Sequence, residues 1–405
     1  MDKSQSVVRK METVRTVVRK DGREFPIDGY CDPRFAPVRE AFETNYRVEE
    51  EVGSCTALVL NGVPVVDLWG GFKDKSCTKP WERDTIVCMM SVTKGVAAIT
   101  FNILLDRGIV ELDAPIAKYW PEFGQAGKEK IPVRYALDHR AGLPIITEKL
   151  PRGSIFDWNA ITGALARQKP LWEPGTQSGY HVHNQGFLLG EITRRVTGKT
   201  LSAFYLDEIA RPLGLDYQIG GLSKADQARC AEIIPSYAGT LLSSMKDAPQ
   251  SMLAQAWNEW PEGDQAPVLN STQWREAEIS SANGHGVAKA VARLYGAMAR
   301  GGEIDGIRIL SEAAVNQMTT EQHNMTEVMM GRPYHQALGV LLNTPEVVWM
   351  GPNPKAFGHH GVGGSIGMAD RDAKLGFSFG TNKWHPRPDN GPRARRVIEA
   401  VYKCL

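Results

Sequence analysis

Strand-like segments crowd the two ends of this 405-residue chain and are scarce in its middle. Near the N-terminus, Cys55–Leu60 and Val65–Trp69 are rich in β-branched and apolar residues, and Asn61-Gly62 lies between them. That dipeptide suits a two-residue hairpin turn. Near the C-terminus, Ala356–His359, Ser365–Ala369 and Leu375–Thr381 read as strands spaced by glycines, with weaker candidates at Gln336–Leu342 and Val347–Met350. The stretch between carries helical periodicity at Val133–Asp138, Trp158–Gln168, Gln185–Val196, Leu201–Ile209 and Val287–Arg300. Helices are also expected at Phe35–Tyr46 and Arg393–Cys404. Strands split in this way are buried most simply in one antiparallel sheet built from both ends. The expected fold is therefore α/β (α+β), with a mostly helical domain inserted. The boundaries are expected at 1–85 plus 301–405 for the sheet domain and 86–300 for the helical one. The first thirty residues show no clear motif, and Ser243 to Ser281 reads as a long excursion of the kind that shapes binding sites. Arg393, Arg395 and Arg396 read as a solvated helix face.

Charge and cysteine usage exclude several function classes. The formal net charge is +1, so there is no electrostatic footprint for nucleic acid or a membrane surface. Six cysteines are scattered without a C-x-x-C pair, which suggests neither a zinc site nor a disulfide framework. The first residues lack a signal-peptide core, and no run approaches a membrane span. A reduced, cytoplasmic protein is expected. No P-loop, dinucleotide fingerprint or H-E-x-x-H is present, so no cofactor or metal is implied.

Ser91-Val92-Thr93-Lys94 is the stretch with the most chemical content. Extended texture precedes it from Asp84 to Met90. After it, Val92, Val96, Ile99 and Ile103 recur at helical spacing, and Gly108 suits the position just past the helix end. Ser91 falls at or near the N-cap, and Lys94 lies about one turn on, on the same face. A serine hydroxyl becomes a nucleophile when a base takes its proton. A lysine does this only when neutral, and burial favours that form. Unpaired N–H groups at the helix start suit a developing oxyanion. The same four residues also make an ordinary capped helix.

Two other stretches supply partners. Tyr180 lies in the glycine-rich run from Pro174 to Asn184, just before a helix, where it can relay a proton or simply pack against a turn. His181 and His183 beside it have no third ligand at metal-binding spacing. Phe357-Gly358-His359-His360-Gly361-Val362-Gly363-Gly364-Ser365 leaves backbone N–H groups open at a strand end. One of them can complete an oxyanion hole with Ser91. The histidines there can bind a substrate carboxylate or pack. Gly363-Gly364-Ser365-Ile366-Gly367 also matches the G-x-S-x-G nucleophile elbow, but that motif needs a following helix. Here a strand candidate follows, so Ser365 is not the expected nucleophile.

Together these motifs resemble the serine β-lactamase and penicillin-binding-protein fold over about Arg34 to Lys383. Within it the chain looks most like the family VIII carboxylesterases, themselves similar to class C β-lactamases. Ser91–Lys94 matches S-x-x-K, Tyr180-His181-Val182 the tyrosine motif, and His359-His360-Gly361 stands where K-T-G would. His139-Arg140-Ala141-Gly142-Leu143 and Asn283-Gly284-His285-Gly286 are further shared stretches. The resemblance implies Ser91, Lys94 and Tyr180 as catalytic residues acting on a small-molecule ester through an acyl-enzyme. It also implies an oxyanion hole of the Ser91 and Val362 N–H groups, with Gly361, His359 and His360 nearby. Replacement of the K-T-G lysine by His359, and of the tyrosine-motif asparagine by Val182, argues against efficient β-lactam hydrolysis. An acyltransferase, an amidase or β-lactamase, and an inactive binding protein on this scaffold are the alternatives.

Overall fold

The computed structural model describes residues 11–236, 247–386 and 389–405. Its largest sheet has eight strands: β1 (Glu12–Lys20), β2 (Arg23–Cys31), β3 (Gly53–Leu60), β4 (Val63–Gly71), β5 (Leu341–Leu342), β6 (Phe357–His360), β7 (Ile366–Asp370) and β8 (Leu375–Thr381). Their order is β1-β2-β4-β3-β8-β7-β6-β5. Every pairing is antiparallel, and β3 against β8 joins the two ends of the chain.

Pairing alternates side chains between the two faces. From β3, Leu58 joins a core with β8 and with helices α1 (Ala36–Val48) and α5 (Gly391–Lys403). Cys55, Ala57 and Val59 face the other way, into a larger core shared with the helical region. Helix α4 (Ala288–Ala299) covers that second face and packs on β3, β7 and β8, although the sequence reading groups it with the inserted helices. Small residues permit the close approach, since a Cβ at Gly376 would overlap the Gly296 nitrogen and the Ala292 carbonyl.

Three parts of the structure differ from the sequence reading. Residues 12–31 form a full hairpin whose turn, Asp21-Gly22, has both residues at positive φ, +51° and +75°. Asn61-Gly62, at +49° and +83°, does the same between β3 and β4. The weak strand candidates shrink to β5. Val347–Met350 instead runs through a turn, because the Asn343 side chain bonds Gly351 O, Asn353 O and Met350 N and bends the chain. In the excursion, 243–246 lie outside the described residues. The rest holds short helices at Met252–Gln255, Gln265–Leu269 and Thr272–Glu276, each capped by the preceding Ser251, Asp264 or Ser271. No described helix is long and apolar enough to cross a membrane.

Helix α2 (Val92–Asp106) is buried on every side, not along one apolar stripe. Its second face is made of small residues and of polar ones that bond within the helix. Thr100 Oγ1 donates to Val96 O and Asn102 Nδ2 to Ala98 O, both at 2.8 Å. A helix apolar or self-satisfied all round belongs in a core. Gly108, at φ +65°, lies just past its end.

Arg393 corrects the expected solvated face. Arg395 is exposed, but Arg393 is 2% exposed and donates to Glu51 Oε1 at 2.7 Å and Lys383 O at 2.5 Å. Removing one partner of a buried ion pair strands the other charge. Arg393→Met is expected to destabilise the fold by ~3–5 kcal/mol, read as a lower midpoint in urea unfolding. Arg395→Met, on the exposed side of the same helix, should change it little.

Candidate active site

The chain reaches Ser91 through a strained residue. Met90 has φ +49°, a conformation that costs a side-chain-bearing residue ~1–2 kcal/mol. Local bonds hold it. Thr93 Oγ1 donates to Met90 O at 2.6 Å and accepts from Gly284 N at 2.8 Å, while Met89 N donates to Gly284 O at 2.9 Å. Gly284 is required there, because a Cβ would overlap the Tyr217 hydroxyl. Asn283 secures the same strand by donating to Trp274 O and Ala277 O. The Asn283–Gly286 stretch therefore holds the turn that aims Ser91.

Lys94 lies beneath Ser91 and is 1% exposed. Its Nζ is 2.6 Å from Val182 O, 3.0 Å from Ser281 O and 3.3 Å from Ser91 Oγ. No carboxylate pairs with it among the described residues, and burial drives its pKa well below 10.5. A neutral amine has two N–H bonds and one lone pair. Two carbonyls can only accept, so they take the N–H bonds and leave the lone pair for the Ser91 hydroxyl proton.

Tyr180 lines the same cleft as Ser91, and its ring lies 4.8 Å from Lys94 Nζ. Burial raises the phenol pKa above 10, so the group stays protonated. The loop behind it is tightly fixed. His139, at φ +65°, accepts from His181 N through Nδ1 at 3.1 Å and from Gly179 N through its carbonyl at 3.1 Å. His181 Nδ1 donates to Gly179 O and its Nε2 accepts from Leu143 N, which fixes a neutral tautomer. The His139–Leu143 stretch thus buttresses the tyrosine, and His181 has no vacant nitrogen for a metal.

The strand-end residues divide by role. Val362 lines the cleft beside Ser91. Among the described residues neither the Ser91 N–H nor the Val362 N–H is donated to a backbone oxygen, which leaves both for an oxyanion. Gly361, expected among the oxyanion and substrate-binding residues, has its N–H committed to Ser365 O at 2.7 Å and so does not offer it to a ligand. A Cβ there would overlap the Met89 carbonyl, so glycine lets the strand end lie against the approach to Ser91. His359 is also corrected. It is 1% exposed and does not line the cleft; its ring sits 6.2 Å from that of Tyr180, with Nδ1 donated to His360 O at 2.7 Å. His360 does line the cleft. Ser365 is buried at the start of β7 and no helix follows it.

Leu253, Trp257, Met330 and Tyr334 complete the cleft, and sequence reasoning named none of them. Leu253 and Trp257 lie in the excursion expected to shape a site. Met330 and Tyr334 carried no signal in the sequence. Among the described residues, no Lys, Arg, Asp or Glu lines the cleft. Burial pushes its histidines down, His183 to about 3 and His360 to about 4, so both are neutral at pH 7.

Residues 42–402 match the Beta-lactamase family, and the chain belongs to it. The fold and family define a serine hydrolase of β-lactamase-like type. Esterase/beta-lactamase LipL of Mycobacterium tuberculosis (strain ATCC 25618 / H37Rv) is 35% identical over 360 residues, covering 88% of this chain and 82% of that one. Among solved structures, a family VIII carboxylesterase is similar with TM-score 0.86 and 38% identity, over 94% of this chain and 100% of that one. A penicillin-binding-protein homologue from Caulobacter crescentus gives 0.85 and 36%, also over 94% and 100%.

The arrangement sets a pH dependence. A protonated Lys94 has no lone pair, so activity should rise with pH along a limb whose midpoint lies well below 10.5. Phenol ionisation should cause no fall near pH 10, because the Tyr180 pKa is raised above that value. Lys94→Arg, whose guanidinium stays charged, is expected to lose ~10²–10⁴-fold in kcat. A pH profile of kcat/KM for each protein checks both expectations.

Proposed function

We propose that this protein is a carboxylesterase working through an acyl-enzyme on Ser91. The observation that carries the reading is the Lys94 amine, buried without a carboxylate partner among the described residues, held by two carbonyls and 3.3 Å from Ser91 Oγ. Ser91 Oγ attacks the ester carbonyl carbon as its proton passes to Lys94 Nζ. The carbonyl oxygen gains the electron pair and is held by the Ser91 and Val362 N–H groups. Collapse expels the alcohol oxygen, which takes a proton from the Tyr180 phenol, and Lys94 returns its proton to the phenol. Water then attacks the acyl carbon by the same path in reverse, releasing the acid and restoring Ser91.

The cleft favours esters over β-lactams. A penicillin or cephalosporin carries a carboxylate, and the lining among the described residues offers no cation to meet it. Burying an unpaired carboxylate costs several kcal/mol, so β-lactams should react slower by ~10²-fold or more. All six cysteines are unpaired, which agrees with assignment to a reducing compartment, the cytoplasm.

A panel of p-nitrophenyl esters and a chromogenic cephalosporin, with Ser91→Ala as control, tests the reading. The expected result is ester turnover that Ser91→Ala abolishes, with kcat/KM for the cephalosporin lower by ~10²-fold or more. Comparable values for the two substrates would remove the ester assignment. Ester turnover that survives in Ser91→Ala would remove Ser91.

A further inference from the structure

We infer that Glu327 is a positioning residue for Tyr180, setting the phenol against Ser91 through the backbone of the tyrosine loop. The inference rests on the reading of Tyr180 as a proton-transfer group. Glu327 is 1% exposed, and no basic side chain pairs with it among the described residues. Backbone N–H groups hold its carboxylate instead. Oε2 accepts from Tyr180 N at 3.2 Å and Met329 N at 2.8 Å, and Oε1 accepts from Met330 N at 2.7 Å.

A buried carboxylate without a cation is costly unless its lone pairs are filled. Here they are filled by N–H groups from two segments distant in sequence. One is the loop carrying Tyr180; the other is the turn carrying Met330, which walls the cleft. Val328 N donates to Ser178 O at 2.9 Å and closes the same junction. The Tyr334 ring stacks on the Tyr180 ring at 5.9 Å and 7°. The carboxylate therefore fixes the tyrosine main chain at the residue itself, while the stacked ring limits its side chain. Hydrogen bonds to a charged group are stronger than neutral ones, so they hold the phenol oxygen where a proton must move. Ordinary packing does not explain a carboxylate here. An apolar residue would fill the space without the desolvation cost, but would leave the Tyr180 and Met329 N–H groups unpaired.

The test is a double-mutant cycle in the full-length enzyme with a p-nitrophenyl ester. Glu327→Gln keeps one acceptor oxygen and replaces the other by an amide nitrogen, which cannot accept. It is expected to lower kcat by about tenfold to a hundredfold in the wild-type background, the range for charge-assisted hydrogen bonds. In the Tyr180→Phe background it should lower kcat by less than about threefold, because the phenol it positions is gone. A purely structural role would give the same loss in both backgrounds, and that result would overturn the inference. An unchanged kcat for Glu327→Gln would overturn it as well. If Tyr180→Phe alone keeps the wild-type kcat, the proton-transfer reading of Tyr180 falls and this inference with it. If only the cycle is additive, this inference alone falls. Should Glu327→Gln not fold, Glu327→Asp, which keeps the charge and shortens its reach, enters the same cycle with the same criteria.

Discussion

Lys94 places an amine where, among the described residues, no carboxylate balances it. Its ordinary pKa of 10.5 would leave a bare cation in a core, and burial drives that pKa well down instead. The two carbonyls that hold it, Val182 O and Ser281 O, belong to different segments of the helical region. They stand where they do because other contacts fix them. Ser281 Oγ donates to His183 O at 2.9 Å, and Gly186 leaves room for the Ser280–Ser281 backbone beside helix 184–197. The position of the amine therefore depends on packing far beyond its own helix.

The sheet depends on the same economy of space. Glycines at 296 and 376 let α4 lie close on β8, and Gly361 lets the end of β6 reach the residues before Ser91. These contacts bring Val362, from the C-terminal part of the chain, beside Ser91, some 270 positions earlier. An added methyl at Gly376 or Gly361 would meet backbone atoms that cannot rotate away, and one at Gly296 would press on the Val59 side chain. Arg393 ties the glycine run to the sheet from behind, donating to Gly363 O at 3.3 Å as well as to Glu51.

Much of the architecture is legible in the sequence, for identifiable reasons. Two-residue turns leave a local signature, so Asn61-Gly62 reveals its hairpin; Asp21-Gly22 carries the same signal in a stretch whose strands alternate with charges and so look featureless. Helix α2 is visible from its apolar spacing, but its full burial is not, because Thr100 and Asn102 satisfy themselves within the helix. Ser91, Lys94 and Tyr180 lie in short motifs whose order and spacing stand out. Glu327, Met330 and Tyr334 come together at the tyrosine only through tertiary packing. His359 and His360 are neighbours in sequence, yet strand alternation sends one ring behind Tyr180 and the other into the cleft.

The protonation state of Lys94 is the claim on which the chemistry turns, and it can be observed directly. Carbon-13 at the lysine Cε positions reports each amine by NMR, and the Lys94 resonance is assigned by its loss in Lys94→Arg. Titrated in the resting enzyme, that resonance should move with a midpoint well below 10.5, showing a neutral amine in the range where the enzyme works. A midpoint at or above 10.5 would show a charged lysine beside Ser91 and would contradict the assignment of Lys94 as the base.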